Sequence, residues 1–272
     1  MAFVCSFRSA KVEKPNRAKA ANLSFFQGRR FFRSPYLAPM KIRLSLFLTF
    51  FAGALAAQSN ALGTWNIFNF RYKLNNRWTL FSEGQVRSLG FYQDFHYHEL
   101  TGGVIFRPNK QLALTLAVGD YDTYREGGDF VRPKNNDELR IWPQLTFTQE
   151  LGRVRLEHRY RSEQRFTLQG FRLRFRSRVG IWVPLNTRSP RDGTIFLNVS
   201  NELFFTTREA YFERNRFVAV LGRRFSERCT AHVGYVHQFD YRINDETGRD
   251  FLQLALQIEI SRILRPSGTP RF

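Results

Sequence analysis

Apolar and polar residues alternate along most of this chain with a period of two. From Phe251 onward, Leu252, Leu254, Leu256, Ile258 and Ile260 fall on one face, with Gln253, Gln257 and Glu259 on the other. Ala231, Val233, Tyr235, Phe239 and Tyr241 oppose His232, Gln238 and Asp240 in the same way. From Glu138, the residues Leu139, Ile141, Leu145 and Phe147 oppose Glu138, Arg140, Gln144 and Thr148. Successive side chains of a β-strand point to opposite sides, so each run reads as a strand with unlike faces. Eleven such runs can be counted, near residues 64–73, 77–88, 97–107, 111–123, 137–149, 153–166, 171–184, 194–205, 214–225, 229–241 and 250–262. Many reach the roughly 9–11 residues that a tilted strand needs to cross a bilayer, whereas strands of ordinary globular sheets average about five or six. The predicted fold is therefore all-β: a closed antiparallel up-and-down transmembrane β-barrel of about 10–12 strands.

The connections agree in part. Leu74–Arg77, Arg107–Lys110, Glu150–Arg153 and Ser226–Arg228 read as tight, and Tyr124–Asn136, Thr206–Glu213 and Arg242–Arg249 as long. Short turns alternating with long loops mark an up-and-down outer-membrane barrel. Thr167–Gly170 is shorter than its slot in that scheme and Leu185–Gly193 is longer. Bacterial barrels usually have an even strand number, so an odd count points either to a missed run near the start or to one run that does not span, with twelve favoured over ten.

The start of the chain departs from the alternation. Lys41 and Arg43 follow Met40, an apolar stretch runs from Leu44 to Leu55, and Ala54 and Ala56 form an A-x-A arrangement. This is the three-part layout of a secretory signal peptide, and the apolar stretch is shorter than the about 20 residues of a spanning helix. The expected organisation is an upstream extension over 1–39, a signal peptide over 40–57, the barrel over 58–264 and a C-terminal tail over 265–272. Residues 1–58 hold ten of the 42 basic and one of the 23 acidic residues, so without them the net charge falls from +19 to about +10. Removing that stretch also removes Cys5 and leaves Cys229 alone, which excludes an internal disulfide and a CxxC metal site. Aromatic residues make up 16% of the chain, 29 of them Phe, while mean hydropathy is −0.40. A barrel with an apolar outside and a polar inside reconciles the two.

The densest charge lies in RVRLEHRYRSEQRFTLQGFRLRFRSR, Arg153 to Arg178. Arg153, Arg155, Glu157, Arg159, Arg161, Glu163 and Arg165 share one face, and Arg172, Arg174, Arg176 and Arg178 share one face of the next run. A hairpin through Thr167–Gly170 puts both rows on the same side of the sheet, the lumen. Buried like charges need counter-ions, and inward carboxylates are expected at Glu83, Glu99, Glu138, Glu157, Glu163, Glu202 and Glu259. The expected lumen-lining set is Glu138, Arg140, Arg155, Arg159, Arg161, Glu163, Arg165, Arg172, Arg174, Arg176 and Glu202. Interior pairing through the planar guanidinium fork is its first role, and contact with small anionic solutes in a narrow anion-biased pore its second.

Several stretches resemble the DUF2490 family of small bacterial outer-membrane barrels: ELRIWPQLTF at Glu138–Phe147, LEHRYRSEQRF at Leu156–Phe166, LRFRSRVGIWVPL at Leu173–Leu185, NELFF at Asn201–Phe205 and ERNRFVAVLGRRF at Glu213–Phe225. The resemblance implies an outer-membrane location and a closed barrel, without an established activity. The chain departs from it in the long leader before Met40 and in RPSGTPRF, which continues beyond the last apolar run.

Two other classes share parts of this pattern. A lipid-modifying barrel enzyme of deacylase or phospholipase type needs a hydroxyl within reach of a base. His158 and Ser162 lie about 13 Å apart by strand rise, and His96, His98, His232 and His237 have no evident serine partner. A nucleic-acid binder would share the basic pI of about 10.7 and the Arg–aromatic interleaving, but part of that charge lies in the leader. The expectation is a non-enzymatic barrel with no cofactor, no metal and no nucleic acid, in contact with outer-membrane lipids, its oligomeric state open. Trp65, Trp78, Trp142, Trp182, Tyr92, Tyr97, Tyr121 and Tyr241 are candidates for aromatic girdles at the membrane interfaces.

Overall fold

The computed structural model describes residues 62–209, 211–241 and 247–262. The expected upstream extension, signal peptide and C-terminal tail lie outside the described residues. Eleven strands form: β1 (Gly63–Lys73), β2 (Trp78–Gly90), β3 (Gln93–Phe106), β4 (Leu112–Arg125), β5 (Val131–Leu151), β6 (Val154–Thr167), β7 (Gly170–Pro184), β8 (Ile195–Thr206), β9 (Phe212–Arg224), β10 (Cys229–Asp240) and β11 (Thr247–Ser261). They are 11 to 21 residues long.

Each strand pairs antiparallel with its chain neighbours, and β1 meets β11 to close the barrel. That last seam is parallel, from Gly63 opposite Phe251 to Lys73 opposite Ser261. Among the described residues there are eleven strands, within the expected 10–12 and equal to the number of alternating runs; the preference for twelve and for antiparallel pairing throughout is corrected. An odd number of up-and-down strands makes the first and last run the same way, so the closing pair has to be parallel. The start of β1 and the end of β11 consequently lie at opposite ends of the barrel.

The loops also differ from expectation. The long connection expected over Tyr124–Asn136 is strand for most of its length, because β5 begins at Val131 and pairs back to Arg125. The connection expected over Thr206–Glu213 shrinks likewise, since Phe212 already pairs with Phe205. The β5–β6 and β6–β7 hairpins turn through two residues each, with Gly152 and Gly170 supplying positive φ. The longest connection, Leu185 to Thr194, lies at the end where short turns were expected.

Burial is inverted relative to a water-soluble sandwich. Phe68, Leu100, Leu116, Val118, Leu139, Phe175, Ile181, Leu221, Val233 and Leu256 are exposed, and all of them point outward by strand parity. Glu138, Glu163, Arg174, Glu202, Arg140 and Arg216 are buried and point inward. Among the described residues, Trp65, Val236 and Phe251 form a small apolar cluster of the interior, with Ile67 and Val218 packed against it. The inward positions also alternate large with small residues. At Gly222 a Cβ would lie 2.2 Å from the ring of Phe196, which fills the space that glycine leaves on the neighbouring strand.

Candidate functional site

The barrel interior is the site, and its contents follow from register. Strand pairing sets Arg159 opposite Arg178, Arg161 opposite Arg176 and Arg165 opposite Arg172 on β6 and β7. Like charges directly opposite each other destabilise a sheet. The structure relieves them with carboxylates from diagonal positions and from neighbouring strands.

Three carboxylates organise the network. Glu138, fully buried on β5, receives Arg140 through Nε at 2.6 Å and through a terminal nitrogen at 3.1 Å, together with both donors of Arg165 and the amide of Asn136 at 2.7 Å. Glu163, fully buried on β6, accepts from Arg174 at 2.7 Å and from Arg176 at 2.6 Å, with Arg161 3.6 Å away. Glu202 on β8 accepts Arg176 at 2.8 and 3.0 Å and Arg159, from two strands away, at 2.5 Å. Arg176 therefore bridges Glu163 and Glu202, and Arg174 bridges Glu163 and Glu213, the latter at 3.0 Å. Glu157 takes Arg178, and Asp240 takes Arg214.

Aromatic rings occupy the remaining space and carry guanidinium groups on their faces. The Cζ of Arg140 lies 3.8 Å from the ring centre of Tyr121, and that of Arg161 3.6 Å from Trp142. The guanidinium of Arg161 also makes two bonds to Gln144, at 2.9 and 2.7 Å. Phe204, 1% exposed, is flanked by Arg176 at 4.5 Å and Arg216 at 4.9 Å. An eight-stranded barrel is just filled by its side chains, so eleven strands enclose more space than short side chains can fill. Long arginines stacked on rings occupy part of it here.

All eleven residues expected to line the lumen face inward, but two stand apart from the network. Arg155 is 38% exposed at one end, with Nε 2.7 Å from Glu150. Arg172 lies towards the other end, and its Nε meets no acceptor among the described residues. The sequence reading missed Arg87, Arg214, Arg216, Glu213, Asp240 and Phe204. The parity count that put Glu138 and Arg140 inside was available for Arg214, Arg216 and Phe204 as well. The girdle assignment is corrected for Trp65, Trp142, Tyr97 and Tyr121, which are buried against interior arginines and not at the rims. Trp78 and Tyr92 do lie exposed near strand ends.

Two polar clusters face outward. Asp120, Asp122 and Asp137 gather near one end, with the ammonium of Lys134 2.7 Å from Asp122 and 3.1 Å from Asp137, so a side-chain cation already sits among the carboxylates. On β10 and β11, Asp250 takes His237 Nδ1 at 2.7 Å and the Tyr235 hydroxyl at 2.5 Å. Among the described residues no serine or threonine hydroxyl is bonded to His237.

Fold and site together define a closed β-barrel, apolar outside, with an ion-paired interior. The sequence model of the DUF2490 family, whose description is a protein of unknown function, matches residues 62–249, and the chain belongs to that family. No curated protein and no solved structure matches the chain.

Proposed function

We propose that this chain is an outer-membrane β-barrel whose lumen is closed by an arginine–glutamate brace, a structural protein without catalytic activity. The observation that carries the reading is the inversion of burial: apolar side chains line the outside of every strand while Glu138 and Glu163 are fully enclosed. Water-soluble monomers rarely expose apolar patches above a few hundred Å². A belt of leucine, valine, isoleucine and phenylalanine around a closed barrel suits a hydrocarbon surround, where only closed barrels and helices satisfy every backbone group. Outer-membrane lipids are then the surrounding partner, and the signal peptide expected at 40–57 supplies export.

A second reading, a narrow porin-like pore biased towards anions, is favoured by one observation. Buried Nε atoms of Arg87, Arg159, Arg172, Arg178 and Arg216 meet no acceptor among the described residues, so the interior has more guanidinium donors than it pairs internally. Basic linings of this kind select anions where a water path exists. Fractionation tests the common part of both readings. Recovery in the outer-membrane fraction, with gel mobility that shifts on boiling, is expected, and recovery as a water-soluble cytosolic protein overturns it.

A further inference from the structure

The interior is unevenly paired. On β5 to β8 each of the central carboxylates is shared among two or three guanidinium groups. Outside that group of strands, Arg87 on β2 and Arg216 on β9 are buried just as deeply, 9% and 7% exposed, but are bonded mainly to amides. Arg87 donates to Gln85 at 3.0 Å, and its nearest carboxylate, Glu99 at 3.5 Å, is already taken by the hydroxyl of Tyr97. Arg216 donates to Gln238 at 2.9 Å, and its nearest carboxylate, Glu202 at 3.9 Å, is held by Arg159 and Arg176. The Nε atoms of both are buried without an acceptor among the described residues.

One indole joins the two. The Cζ of Arg87 lies 3.6 Å and that of Arg216 4.7 Å from the ring centre of Trp65, so the two guanidinium groups lie within about 8 Å of each other. Trp65 is itself fixed by donation to Gln85 at 2.7 Å and by an edge contact with Phe251. Stacking supports a guanidinium but leaves its in-plane N–H groups and its charge unmatched. A buried cation whose one ion partner is long and shared, 3.5 Å for Arg87 and 3.9 Å for Arg216, is costly, and the fork of an arginine matches the oxygens of phosphate or carboxylate.

We propose that Arg87 and Arg216, both stacked on Trp65, form an interior binding site for a phosphate-class oxyanion. This rests on the closed-barrel reading above but not on an open pore, because an anion held here completes the brace whether or not ions pass. The anion supplies the acceptors that the β5–β8 half obtains from Glu138, Glu163 and Glu202.

The test uses the full exported chain folded in detergent, titrated with inorganic phosphate against chloride at matched ionic strength. A saturable rise in unfolding temperature is expected, with an accompanying change in tryptophan emission. Arg87→Gln with Arg216→Gln should weaken the apparent affinity at least tenfold while the boiling-dependent gel shift persists. Should the double variant fail to fold, Arg216→Gln alone serves, since among the described residues its only ion contact is the 3.9 Å approach to Glu202. Trp65→Phe should keep the thermal response and lose most of the emission change. Phosphate stabilises many proteins by exclusion from their surface, but that effect is unsaturable and acts equally on wild type and variants. No saturable response in a folded wild type, or the same response in the arginine variants, overturns the site and leaves the barrel reading standing. A chain without a boiling-dependent gel shift overturns both.

Discussion

Arg176 is the side chain on which the brace depends most. It donates to Glu163 at 2.6 Å and to both oxygens of Glu202 at 2.8 and 3.0 Å. Arg176→Met keeps much of the apolar stem and removes all three bonds. Breaking a buried ion pair by deleting one partner costs about 3–5 kcal/mol, because the other charge stays enclosed. Here Glu163 keeps Arg174 and Glu202 keeps Arg159, which places the expected loss near the lower bound, about 3 kcal/mol. Arg161→Met is the control, because its guanidinium bonds the neutral Gln144, stacks on Trp142 and only approaches Glu163 at 3.6 Å; about 2 kcal/mol is expected, the size of hydrogen bonds that involve a charged group. The assay is urea unfolding in detergent micelles, followed by loss of the boiling-sensitive gel form, with midpoints converted through the slope. Combining Arg176→Met with Glu163→Gln completes a cycle whose coupling should exceed about 1 kcal/mol. A cost for Arg176→Met no larger than that of Arg161→Met would refute the brace.

Phe204→Ala empties the ring position between Arg176 and Arg216 and should cost about 3–5 kcal/mol in the same unfolding assay, as deletion of a buried aromatic does. Leu116→Arg puts a charge in the middle of the outward apolar face of β4, between exposed Leu114 and Val118; folding into bilayers should lose about 2–4 kcal/mol, with a much smaller loss if that face meets water. His237→Ala should leave the lipid A and phospholipid profiles of overexpressing cells indistinguishable from those given by the unaltered chain, both matching cells that lack it. A profile changed by the unaltered chain and restored by the substitution would revive the enzyme reading.

Period-two alternation made the strands legible, because unlike surroundings on the two faces leave a residue-by-residue record. It failed at the start of β5, where Val131 to Asn136 carry no apolar stripe: that extension offers no apolar face, so nothing in its composition separates strand from loop. Interior pairs were legible only as two facing rows. That Glu202 meets Arg159 depends on side chains crossing in front of β7, which neither row discloses alone. Trp142 was assigned to a girdle by residue type although it shares parity with Glu138 and Arg140, and parity was the better guide because the wide lumen needs large rings. The parallel seam follows from the odd strand count, and a rule about even numbers obscured it.

Single-channel recording from the purified chain, folded in detergent and inserted into planar bilayers, addresses the brace most directly. The account predicts insertion of a barrel that stays electrically silent, because Arg176, Glu163, Glu202 and the rings around them fill the lumen. Discrete, anion-biased openings from the folded protein would contradict it and make the same arginines the lining of a pore.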